Sequence, residues 1–206
     1  MSERALFIAP ETAVSGVLAH ALDADELALP FATEALESWR EREATREKRI
    51  RIAVGFVAER DFAANALLGV DPEAWLAHAE DPIARWVFAL GVAAARCADG
   101  GAIVAVIDRP APLDCAGFAP ESAAADAACA LVRSLARSEG ARGVRVNAVV
   151  TSARLAPTSP IAPPPALASF PGTLECEVAG AVRMLLADDA RGITGQVIAA
   201  DCGRTW

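Results

Sequence analysis

The chain has 206 residues, 54% of them hydrophobic, which is enough for one domain with a sizeable core and too apolar for a disordered chain. A formal charge of −8 repels phosphate backbones, and no basic stripe with interleaved aromatics offsets it, so nucleic acid is excluded as a partner. The first apolar run is about six residues long, too short for a secretory core or a membrane span, so a cytoplasmic protein is expected.

In chain order, Arg4–Ala9 reads as a buried strand, and Val14, Val17, Leu18, Ala21 and Leu22 then recur at helical spacing. A short apolar piece, Glu26–Phe31, precedes a densely charged segment, Thr33–Ile50, which predicts a solvated helix with i,i+4 Glu/Arg support. Arg49–Val57 is the next strand. Asp71–Gly101 predicts a long helix or helix pair, with Pro72 and Pro82 near helix starts and Asp99-Gly100-Gly101 as its end. Ala102–Ile107 is an unbroken apolar run of the kind buried on both faces of a parallel sheet.

The Ala-rich stretch Ser122–Ser138 reads as a helix, Val144–Val150 as a strand, Leu174–Asp188 as a helix and Gly195–Asp201 as a last strand. Strands alternating with helices through residues 1–206 predict a single α/β domain built on a mostly parallel sheet. The Pro-rich run from Ala156 to Gly172 predicts a long surface loop, either a lid or a stiff cover. Five scattered cysteines (Cys97, Cys115, Cys129, Cys176, Cys202) form no C-x-x-C, so reduced structural thiols are expected rather than disulfides or a metal site. His20 and His78 have no second ligand at metal spacing and read as surface or satisfied side chains.

Three segments carry a family likeness. "RSLARSEGARGVRVNAVV", "DDARGITGQVIAADCGRTW" and the Trp75-containing helix leading to "GGAIVAVI" together resemble the short-chain dehydrogenase/reductase family. The resemblance implies a Rossmann-like, doubly wound sheet with helices on both faces, here shortened by about one strand-helix unit. It also places the family's catalytic Tyr on Glu121, its Lys on Ala125, its Ser on about Asp108 and its Asn near Pro82. The chain has no Tyr, and its one Lys is Lys48. The three glycines of the family's phosphate-binding turn fall on Ala9, Ala13 and Ser15, with Gly16 one place late and Glu11 where the pyrophosphate belongs. Asn147 matches a structural Asn of the family.

The resemblance therefore implies a catalytically silent subunit, without NAD(P), that assembles with itself or with an active paralogue. On that reading Ile83, Val87, Leu90 and Ala94 form one interface stripe, Ala124, Ala128, Leu131 and Leu135 a second, and Trp206 a further contact. The alternatives are an enzyme working through Asp108 and Glu121 as an acid/base pair, or a sensor that binds a small ligand in the same cleft.

Overall fold

The computed structural model describes residues 4–57, 66–112, 115–154, 167 and 172–204. Six parallel strands run in the order β2-β1-β3-β4-β5-β6: β1 Leu6–Ala9, β2 Asp25–Ala28, β3 Arg49–Gly55, β4 Cys97–Asp108, β5 Arg145–Thr151 and β6 Val197–Ala199. The chain moves outward from β1 to β2 and then returns to β3 on the other side. That reversal opens a crevice beyond the carboxyl ends of the strands, where ligands bind in open α/β sheets.

Alternation along each strand sends side chains to two cores. Leu6, Ile8, Ile52, Val54, Ile103, Ala105 and Ile107 face the layer of α2 (Leu36–Glu43), α4 (Asp81–Arg96) and α5 (Ala119–Ser138). Phe7, Ala9, Ala53, Val104 and Val106 face α1 (Ala13–Ala21) and α6 (Ala179–Leu186). The sheet is thus covered on both faces, which is why the β4 run is continuously apolar. Among the described residues no helix is long and apolar enough to cross a membrane.

The charged segment departs from its expectation. Its helix, α2, ends at Glu43 and is not all surface: Leu36 and Trp39 are buried, and the Trp39 indole N–H donates to the Ala28 carbonyl at 2.8 Å. Glu43 is itself buried, held by Arg42 at 2.9 Å and Arg46 at 3.0 Å. Asp99-Gly100-Gly101 also differ, falling within the span of β4 instead of ending a helix; Gly101 is packed so tightly that a Cβ there would meet the Ile50 carbonyl at 2.7 Å.

The predicted helix before β4 is continuous from α3 (Pro72–Trp75) through a π-helical turn, Leu76–Glu80, into α4. Asp71 caps its start, accepting the Ala74 amide at 2.7 Å. Pro82 supplies no N–H and its ring crowds the preceding turn, and the chain relieves this with one wide turn, in which the Asp81 amide reaches back to the Leu76 carbonyl. That turn carries His78.

Candidate functional site

A cleft opens at the carboxyl ends of β3 and β4, against the first turn of α5. Phe56, Val57, His78, Pro82, Trp86, Ile107, Asp108, Glu121, Ala124 and Ala125 line it. Each wall has a local cause. Phe56 follows β3 with φ of +53°, a left-handed conformation that is costly for an aromatic residue and turns the chain at the end of the strand. Arg85 fixes the neighbouring loops, donating from Nε to the Phe31 carbonyl and from Nη1 to the Val57 carbonyl, both at 3.0 Å. Asp108 ends β4 beside Thr151 of β5.

The ionisable groups form two separate pairs. Arg154 Nη1 donates to Asp108 Oδ2 at 2.6 Å, and the guanidinium stacks 5.0 Å from the centre of the Phe56 ring. Glu121, in the first turn of α5, points into the cleft with Oε1 3.8 Å from His78 Nδ1; its side chain is 10% exposed. Burial pushes the Glu121 carboxyl above its ordinary range, while its own backbone amide and His78 pull the other way. Glu121 Oε2 is buried and has no hydrogen-bond partner among the described residues.

The sequence reading brought Asp108 and Glu121 into one cleft, and the structure does the same. Each carboxyl also has an ionisable neighbour there, Arg154 beside Asp108 and His78 beside Glu121. His78, read as a bland surface or satisfied histidine, belongs to the site. Arg154, Phe56 and Trp86 were missed; the one available signal was the position of Arg154 just beyond the carboxyl end of a predicted strand.

No family model matches the chain, and no curated protein does. Solved structures do. A blue fluorescent protein from a metagenomic library, in complex with NADPH, superposes with a TM-score of 0.74 at 19% identity, covering 100% of this chain and 99% of that one. A short-chain dehydrogenase/reductase from Serratia marcescens gives 0.71 at 18% identity over 98% of each chain. One from Mycobacterium ulcerans gives 0.72 at 17% identity over 100% of this chain and 90% of the other. The chain has the short-chain dehydrogenase/reductase fold.

That fold directs attention to the turn between β1 and α1, where a dinucleotide's pyrophosphate meets helix-start amides. Here the turn has closed on itself. Thr12 caps α1, its Oγ1 accepting the Ser15 amide at 3.1 Å and lying 2.9 Å from Ser15 Oγ, while Ser15 is 1% exposed. Ala9 is buried, Glu11 is exposed at the rim, and Gly16 lies inside the helix with its amide bonded to the Thr12 carbonyl. One helix-start amide, that of Ser15, is thus met by Thr12 Oγ1, and no glycine stands at Ala9, Ala13 or Ser15.

The predicted interface stripes are split by the structure. Leu90, Ala124 and Ala128 lie in this chain's own interior, because the inner faces of α4 and α5 must cover the sheet. Leu131 and Leu135 are partly buried against the same core, and Ile83 and Ala94 are half-buried. Val87 is 48% exposed and points outward. Trp206 and most of the Pro-rich run lie outside the described residues.

Proposed function

We propose that this chain is a catalytically silent subunit with the short-chain dehydrogenase/reductase fold, working in an oligomer with an active paralogue or with further copies of itself. The β1–α1 turn carries the reading: the Thr12 hydroxyl satisfies the Ser15 amide, a donor that a pyrophosphate would otherwise engage. The cleft supports it. Hydride transfer to a carbonyl needs a positioned acid at the developing alkoxide. The positions that resemble the family's Tyr, Lys and Ser hold Glu121, Ala125 and Asp108, and Asp108 is committed to Arg154. Leu76 and Val87, both about half exposed along the helix that leads through α4, leave an apolar face for a partner.

NADPH is the dinucleotide to test first, since it is bound in the blue fluorescent protein of the same fold. Titration with NADPH and NADH, read by nicotinamide fluorescence, is expected to give no saturable binding. Sizing is expected to show assembly, alone or with a co-expressed paralogue. Micromolar dinucleotide binding would overturn the silent reading, and a strictly monomeric protein that ignores the paralogue would overturn the scaffold.

A second reading has its own observation. Glu121 is a buried carboxyl at a cleft, with one oxygen unserved, which favours a ligand-binding role for the remodelled site.

A further inference from the structure

We propose that the cleft holds a small organic ammonium group, with Glu121 as its anionic partner and the Trp86 side chain as part of the apolar wall around it. The inference is independent of the scaffold reading, because a silent subunit and a free-standing one present the same cleft.

Among the described residues four ionisable side chains gather here: Asp108, Arg154, Glu121 and His78. Asp108 and Arg154 neutralise one another at 2.6 Å. His78 stands 3.8 Å from Glu121 Oε1, beyond hydrogen-bond reach, and is charged only when protonated. Outside the Asp108–Arg154 contact, the acidic group lining the cleft among the described residues is Glu121, on a side chain 10% exposed.

Glu121 Oε2 is buried without a hydrogen-bond partner among the described residues. A buried acceptor left unserved carries its full desolvation penalty, so a donor brought in by a ligand gains more here than at the surface. A charged N–H donor gains most, because it also relieves the burial of the carboxylate.

Around Glu121 stand Phe56, Val57, Pro82, Trp86, Ile107, Ala124 and Ala125, which carry no charge. Such walls suit an aliphatic or aromatic tail and disfavour a second charged group. The cavity of about 30 Å³ has room for a head group about the size of one or two waters, and it is open on one side for the tail. A carboxylate or phosphate ligand fails on sign. A sugar fails on size.

Binding of a cation draws Glu121 toward its charged form. Lowering the pH protonates Glu121, which removes the anion and weakens the site.

The test uses the full chain, ¹⁵N-labelled and titrated with n-propylammonium chloride at constant ionic strength, with n-propanol and propionate as neutral and anionic controls. The reporter is the Trp86 indole N–H, assigned with a Trp86→Phe variant. A saturable shift with propylammonium is expected, with none from propionate, and affinity should fall as the pH is lowered toward the ordinary carboxylate range. Glu121→Gln is expected to weaken binding by about tenfold or more while keeping the dispersed spectrum of a folded chain. No saturable shift, equal shifts from propanol, or unchanged affinity in folded Glu121→Gln would each overturn the proposal. Should Glu121→Gln lose its fold, the selectivity among the three probes and the wild-type pH profile decide the matter alone.

Discussion

Arg154 and Asp108 meet at 2.6 Å with side chains 6% and 8% exposed, so the end of β4 is tied to the segment after β5 by an ion pair almost wholly out of water. Removing one partner takes a counter-ion at 2.6 Å from a buried charge. Arg154→Met is therefore expected to destabilise the chain by about 3 kcal/mol, and Asp108→Asn by a similar amount. The double variant should cost clearly less than the sum, because the two side chains are in direct contact. Urea unfolding of the four proteins closes the cycle; additive costs would mean that the two side chains do not depend on each other.

Thr12 is the cap of α1. Thr12→Ala leaves the Ser15 amide and hydroxyl without their oxygen partner and is expected to cost about 1 kcal/mol, while Thr12→Ser keeps the oxygen and nearly all the stability. Unfolding midpoints in urea measure both. Equal losses in the two variants would assign the effect to the Thr methyl group and not to the cap.

What the sequence displayed and what it hid follow a physical division. Strand runs such as Ala102–Ile107 announce themselves because burial on both faces demands unbroken apolar residues. Glu121 and Asp108 were legible because each sits at a fixed offset from such an element. Arg154 and His78 were not: their roles depend on which loops the sheet order brings together, and on a π-helical turn created by Pro82, neither of which has a period to read. The half-charged face of α2 misled for a related reason, since buried Glu43 is met not only by Arg42 of its own helix but by Arg46 beyond it and by Arg96 of α4.

Glu121 sets a pH dependence with a definite sign. Its folded-state pKa is raised by burial, so the folded chain favours the protonated form, and this contribution is present at acid pH and lost as pH rises through the folded value. Glu121→Gln, which stays neutral, should therefore unfold at a higher temperature than wild type near neutrality. The gap should shrink as pH is lowered toward the ordinary carboxylate range. Thermal melts from about pH 4 to pH 8 follow it; a gap that widens toward acid would mean that His78 outweighs burial.

The thiols divide by burial. Burial pushes Cys97 up to about 11 and raises Cys129 as well, while Cys115 and Cys176 are exposed. Iodoacetamide at about pH 8 should label Cys115 and Cys176 first and leave Cys97 intact until the chain unfolds, because the thiolate is the nucleophile. Peptide mass spectrometry over time gives the order. Early labelling of Cys97 would require the start of β4 to open.

Asn147, fully buried in the middle of β5, uses both ends of its amide on the segment that leads into β6. Its Nδ2 donates to the Ile193 carbonyl at 2.8 Å, and its Oδ1 accepts the Gln196 amide at 3.0 Å. β6 is only three residues long and sits at the sheet edge, so these two bonds, with that from the Val146 amide to Thr194 Oγ1, hold its approach in register. Asn147→Ala takes a partner from each of two part-buried backbone groups and opens space, and is expected to cost about 2 kcal/mol. Asn147→Asp keeps the acceptor but loses the donor and buries a charge beside a carbonyl, so it should be at least as harmful near neutrality and milder in acid, where the carboxyl protonates and can donate. Hydrogen exchange separates local from global loss: the Gln196 and Ala148 amides should lose protection before those of β3 and β4. Uniform loss across the sheet would show that β6 and its approach unfold only with the whole chain.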